Sequence, residues 1–128
     1  MSSVELSNDV VDVLLHQDAS KAFATNGPIG LNVVPVSSIK LVGNSIWLID
    51  YFFGKTKDNF LVDSKVSLVA WHGLNGFQVK GNMEYLTQGE KFDLAKEWIA
   101  KVHPQRTISG LVILSPTEVH DISISGKV

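Results

Sequence analysis

Residues Phe53-Gly54-Lys55-Thr56-Lys57-Asp58-Asn59-Phe60-Leu61-Val62-Asp63-Ser64-Lys65-Val66-Ser67-Leu68-Val69-Ala70-Trp71 separate two β-rich halves of the chain. The stretch opens on a glycine turn, continues as a short helix over 55–62 and ends as a strand of alternating apolar residues over 65–71. Glycine, lysine and a hydroxyl at a helix start make an anion seat. The first backbone N–H groups there lack intrahelical partners, and the helix dipole favours negative charge. The same residues also serve as ordinary helix punctuation, so the flanking sequence has to decide between the two readings.

Upstream, Ser7-Asn8-Asp9 supplies an N-cap and early negative charge, and Val10, Val11, Leu14 and Leu15 follow at helical spacing to about His16. Residues 21–25 read as a strand. Asn26-Gly27-Pro28 is a turn, since Asn and Gly tolerate positive φ and Pro fixes its own. The return strand, 29–36, carries Pro35, which cannot donate to a ladder and marks a sheet edge, a bulge or a strand end. Residues 38–42 lead into the Gly43-Asn44 turn and a third strand, 45–50, so the first half reads as a β-meander. Tyr51-Phe52-Phe53 then precede Gly54. Three aromatics there either close the end of a barrel or form a wall against a flat aromatic ligand.

Downstream, the fourth strand and a fifth over 77–86 form a hairpin through the turn 72–76. Gln88-Gly89-Glu90 introduces a helix on which Phe92, Ala95, Ile99 and Val102 form a stripe, widened by Leu94 and Trp98 and ending before Pro104. Residues 107–114 read as a buried strand, Ser115-Pro116 as a break and 119–124 as a short terminal extended piece. Six strands joined mainly by tight turns predict a mainly β fold: one antiparallel sheet closed into a small barrel with flanking helices, in a single domain spanning 1–128.

At 128 residues, 45% hydrophobic and 19% charged, the chain is slightly apolar for a soluble monomer, which points to surface covered by a partner. The formal charge of −2 gives no basic field for nucleic acid or an anionic membrane. Without cysteine, disulfides, thiolate metal sites and cysteine nucleophiles are excluded, and redox chemistry has to come from a bound cofactor. The first residues lack a basic region followed by an apolar core, and no apolar run approaches the roughly 18 residues needed to span a bilayer. A soluble, cytoplasmic protein is expected.

Other motifs are weak. His16, His72, His103 and His120 are scattered, so no metal site is expected. No Gly-x-Ser-x-Gly occurs, and Ser109 sits inside an apolar strand. The glycines are spread among hairpin turns rather than grouped as a dinucleotide fingerprint. Gly54-Lys55-Thr56 lacks the earlier glycine of a P-loop, whose place is held by Asp50-Tyr51-Phe52-Phe53. Asn32 either hydrogen-bonds a ligand from the barrel wall or sits at a bulge or on the wet face.

Taken in order, several segments resemble the FMN-binding split barrels similar to pyridoxamine 5'-phosphate oxidase, and most closely the small bacterial FMN-binding proteins. They are Ala22-Phe23-Ala24-Thr25 with Gly27-Pro28, Leu31-Asn32-Val33-Val34, Gly43-Asn44-Ser45-Ile46, Gly54-Lys55-Thr56-Lys57-Asp58-Asn59 with Val66-Ser67-Leu68, Gly76-Phe77-Gln78-Val79-Lys80-Gly81, and Gly110-Leu111-Val112-Ile113-Leu114-Ser115-Pro116. The resemblance implies a homodimer with FMN at the subunit interface. It places Lys55 and Thr56 at the phosphate, Asn32, Val33 and Val34 at the phosphate, ribityl chain or ring, and Asp50, Tyr51, Phe52 and Phe53 along the isoalloxazine. Arg106 falls where such proteins carry a residue reaching the partner's flavin, and it equally suits a surface cation. Val34 and Ser37 stand where the electron-transfer members place aromatics, and the substrate-binding basic and His residues of true pyridoxamine phosphate oxidases have no match. The implied function is electron or hydride transfer through FMN, with NAD(P)H or a redox protein as partner. The competing class is an FMN carrier or sensor, or a flavin-free dimeric barrel.

Overall fold

The structure is a computed structural model that describes residues 4–28, 30–51, 58–59 and 64–124. Helix α1 (Asn8–Leu15) is capped by Ser7, whose Oγ accepts from the Val10 N–H at 3.5 Å. It is followed by strands β1 (Ser20–Thr25), β2 (Asn32–Pro35), β3 (Ile39–Val42), β4 (Ser45–Asp50), β5 (Lys65–His72) and β6 (Asn75–Leu86). Helix α2 (Glu90–Val102) then leads to β7 (Gly110–Asp121).

All pairings are antiparallel, in the order β2-β1-β5-β6-β7-β4-β3. The outermost strands of this order, β2 and β3, are consecutive in sequence and joined by residues 36–38 alone. At about 4.8 Å per strand, a flat sheet of this width would hold them about 29 Å apart. Four Cα steps from Pro35 to Ile39 span at most about 15 Å. The sheet therefore has to curl until its edges meet, and what joins them is the chain itself rather than a ladder. Val36 and Ser38 in the link are buried, and backbone bonds fasten it to both sides, Val36 N–H to the Lys21 carbonyl at 3.0 Å and Ile49 N–H to the Ser38 carbonyl at 3.3 Å.

Two apolar clusters follow from this curl. Inside the barrel, Phe23, Ile46, Leu48, Leu68, Val79, Val112 and Leu114 pack with Val10 and Leu14 of α1, which closes one end. On the outside, Trp47, Ile49, Leu111 and Ile113 pack against Phe92, Ala95 and Ile99 of α2. Strands β4 and β7 thus bury both faces where α2 covers them, which explains their unbroken apolar runs.

The expected mainly β antiparallel barrel holds, with three differences, while the expected short helix over 55–62 lies largely outside the described residues. Among the described residues there are seven strands rather than six, because residues 39–42 pair with β4 as a strand of their own. The first half is two hairpins rather than a meander, since β2 and β3 do not pair with each other. Ser115-Pro116 does not break the last strand: β7 runs on through it, absorbing Thr117 as the extra residue of a bulge opposite Lys80 and Gly81. The expected terminal piece is the far end of β7. Pro35, by contrast, ends the outermost strand β2, as a residue without an N–H should.

At the bulge, Gly81 is buried, and a Cβ there would overlap the Ser115 carbonyl oxygen. Because that obstacle is backbone, Gly81→Ala should cost about 1–3 kcal/mol in denaturant unfolding. A loss below about 0.5 kcal/mol, the range of ordinary surface changes, would contradict this packing.

Candidate functional site

Strand β4 ends at Asp50, fully buried and in register opposite Gly110 of β7. The Tyr85 hydroxyl of β6 donates to Asp50 Oδ2 at 2.5 Å, and the Ser109 N–H donates to the Asp50 carbonyl at 2.7 Å. A side chain at Gly110 would collide with the Tyr85 hydroxyl, so the glycine makes room for this bond. Tyr85 holds its proton well above its usual pKa of 10.0, first through burial and then through the hydrogen bond to Asp50 and the charge of that carboxylate.

The next residue, Tyr51, is held at three points. Its hydroxyl lies 2.6 Å from Ser38 Oγ in the link between the edge strands. Its carbonyl accepts from Ser109 Oγ at 3.1 Å, and the Arg106 guanidinium lies over its ring, 5.2 Å from the centroid. Asp50 and Tyr51 therefore meet Arg106, distant in sequence, at one end of the barrel. The Tyr51 hydroxyl is turned to the link rather than to open space.

Chain leaves this knot toward residues 52–57 and returns at Asp58-Asn59. Asn59 is fully buried on the β1–β2 hairpin, where its Nδ2 donates to Thr25 Oγ1 and to the Gly30 carbonyl, both at 3.0 Å. A Cβ at Gly27 would approach Asn59 Oδ1 to 2.7 Å, so that glycine is set by close approach. Asn32 stands opposite Thr25, which places it beside this anchor. Val34 packs on the barrel core, whereas Val33 is 64% exposed on the outer face. Phe52, Phe53, Lys55 and Thr56 lie outside the described residues.

Sequence reasoning missed Ser38, Asn59, Tyr85 and Ser109, which hold the site together. Asn59 lies within the Lys55 motif but carried no role of its own, and Ser38, Tyr85 and Ser109 gain partners only through topology. Every buried side-chain polar atom among the described residues has a partner, as a preorganised site requires. Two open clefts flank Arg106, one of about 270 Å³ that includes Lys96, Pro104 and Thr107, and one of about 500 Å³ that includes Val102, His103, Pro104 and Gln105.

No protein-family profile matches the chain. The uncharacterized protein MJ0282 of Methanocaldococcus jannaschii is 27% identical over 125 residues, covering 94% of this chain and 83% of that protein. Among solved structures, HupZ of Group A Streptococcus superposes with a TM-score of 0.81 at 20% identity, over 93% of this chain and 95% of that one. An FMN-binding protein from Syntrophomonas wolfei gives 0.77 at 15% identity, over 91% and 85% of the two chains. A candidate pyridoxamine 5'-phosphate oxidase from Lactobacillus delbrueckii gives 0.70 at 23% identity, over 94% and 99%. The fold is that of the FMN-binding split barrels. As in the resemblance drawn from sequence, the split barrel here is mainly β and antiparallel, with helices at its end and side. No helix among the described residues is long and apolar enough to cross a membrane.

Tyr85→Phe removes the donor to a buried carboxyl group and should destabilise the barrel by about 1–3 kcal/mol at neutral pH. Because the folded chain holds the Tyr85 proton more tightly than the unfolded chain, this stabilisation is present below pH 10 and is lost as pH rises above it. Unfolding midpoints measured from pH 7 to 11 should fall less steeply in the variant. Equal slopes and equal midpoints would show that the pair carries no stability.

Proposed function

We propose that the chain binds FMN non-covalently as a homodimer and uses it for electron or hydride transfer. The observation that carries this reading is the anchored segment. Asp50 and Tyr51 fix one end of residues 52–57, and Asn59 fixes the other against the β1–β2 hairpin, within a fold shared with a protein described as FMN-binding. In this reading Lys55 and Thr56 hold the phosphate, for which a compact cation, a hydroxyl and free N–H groups at a helix start are suited. Asn32, Val33 and Val34 bound the site from β2. Asp50, Tyr51, Phe52 and Phe53 run along the ring, and Arg106 reaches toward the partner's flavin from its place over Tyr51.

When bound, the flavin supplies the redox chemistry, and the protein supplies orientation, exclusion of water and tuning of potential. The chain's own part is rigidity: the Tyr85–Asp50 and Tyr51–Ser38 bonds hold the backbone leading into 52–57. In this reading a second subunit completes the enclosure of the flavin. The outer face of β2, β1, β5 and β6 suits such a partner. Cross-strand register aligns Val33 with Ala24, Ala24 with Ser67, Ala22 with Val69 and Val69 with Gln78 on that face. These side chains are uncharged and partly or fully exposed, with Lys80 beside Ser67 on the same face, so a second sheet can approach over Ala22, Ala24 and Ser67. An electron partner such as NAD(P)H or a redox protein completes the reading.

Three measurements test it. The purified protein, or the protein reconstituted with FMN, should show flavin absorbance, and a preparation that stays colourless after reconstitution defeats the proposal. Lys55→Ala should weaken FMN binding by at least tenfold more than Lys57→Ala or Lys65→Ala, and equal losses would remove the phosphate assignment. Bleaching of the flavin by NADH or NADPH supports a reductase, while its absence leaves an electron carrier.

A further inference from the structure

Among the described residues, one group of ligand-type side chains lies together away from the flavin region. The donor atoms of His16, Asp18 and His72 all fall within 4.8 Å of one another. Distance along the sequence argued against a metal, and the barrel removes that distance. His16 is the C-cap of α1, and Asp18 lies in the turn that leads into β1. His72 is the last residue of β5, which pairs with β1 through Trp71 opposite Ser20. The two imidazoles stack, with centroids 3.9 Å apart and 22° between their planes.

We propose that His16, His72 and Asp18 form a site for a divalent transition-metal ion of the zinc type, with water in its remaining positions. Two imidazole nitrogens and a carboxylate oxygen are a donor set for such ions, whereas magnesium and calcium take oxygen ligands throughout. Tetrahedral bonds of about 2.0–2.1 Å require donors about 3.4 Å apart. Stacked rings hold their lone pairs in nearly parallel planes, so one ring has to turn for both to converge on one ion. All three side chains reach solvent, and such a turn is a rotamer change rather than a disruption of packing.

One bond has to be exchanged. The Asp18 N–H donates to His16 Nδ1 at 3.0 Å. Coordination by His16 either replaces that N–H at Nδ1, or engages Nε2 and moves the ring proton to Nδ1, where it faces the N–H. Both routes reorganise the 16–18 turn, and the Asp18 amide reports it. The surrounding charge favours a cation. Asp9 and Asp12 lie on the same side of α1 as His16 and, with Asn75 and Asp121, line a cavity of about 390 Å³; Asn75 is the register partner of His72. Lys21, whose ammonium donates to the Ala19 carbonyl at 3.3 Å, is the opposing cation on this connection. A bound ion would brace the α1–β1 connection against the β5–β6 turn and stabilise the fold by mass action.

The test is a zinc titration of the full chain without a polyhistidine tag, followed by calorimetry and by thermal unfolding. One ion per chain should bind, and zinc but not magnesium should raise the unfolding midpoint. His72→Ala and Asp18→Asn should each weaken binding at least tenfold and abolish the rise. His120→Ala, a control near Glu118 on β7, should leave both unchanged. Circular dichroism of each metal-free variant confirms that it is folded. In the unsubstituted chain, the amide resonance of Asp18 should shift on zinc addition, a readout independent of any variant. The proposal is overturned by the lack of saturable binding, by an unmoved Asp18 amide, or by a loss in His120→Ala equal to that in His72→Ala.

Discussion

The structure depends on a link of three residues. Because 36–38 alone connect the two outermost strands of a seven-strand sheet, the sheet cannot lie flat. Everything else follows from the curl that the link imposes. One face of the sheet becomes an interior filled by Phe23, Ile46, Leu48, Leu68 and Leu114, and one open end becomes a seat for Val10 and Leu14 of α1. The outer face divides into a part covered by α2 and a part on β2, β1, β5 and β6 where Ala22, Ala24, Ser67 and Val69 lie side by side.

The same link organises the candidate site. Ser38 is buried within it, and its hydroxyl meets that of Tyr51, so closure of the barrel and placement of the first residue after β4 are one event. Tyr85 and Ser109 add the second and third ties, from β6 and from the approach to β7. Each of these bonds joins elements distant in sequence, and together they turn the end of β4 into a fixed point. Asn59 supplies the opposite fixed point on the β1–β2 hairpin.

Much of this was legible in the sequence because it is local. Ser7 before an apolar helical stripe, Gly43-Asn44 between apolar runs and the α2 stripe ending before Pro104 each state their element in a few residues. Strand β3 was not legible, because four residues with Lys40 among them carry too little alternation to separate a strand from a lead-in. Pro116 misled for a physical reason: proline marks a break unless a bulge spares its missing donor, and the bulge is set by the partner strand. At the site, Asp50, Tyr51 and Arg106 were singled out along the chain, and the structure brings them together. Their supports Ser38, Tyr85 and Ser109 were hidden, since a lone hydroxyl acquires meaning only when topology gives it a partner. The pairing of His16 with His72 was hidden for the same reason.

The most direct test of the flavin account compares two ligands that differ by one phosphate. The flavin-free protein is titrated with FMN and with riboflavin while flavin fluorescence is followed. The account predicts saturable binding of one FMN per chain and riboflavin affinity at least a hundredfold lower, because the proposal puts the FMN phosphate, which riboflavin lacks, at Lys55 and Thr56. Equal affinities, or no change in fluorescence with FMN, would contradict it.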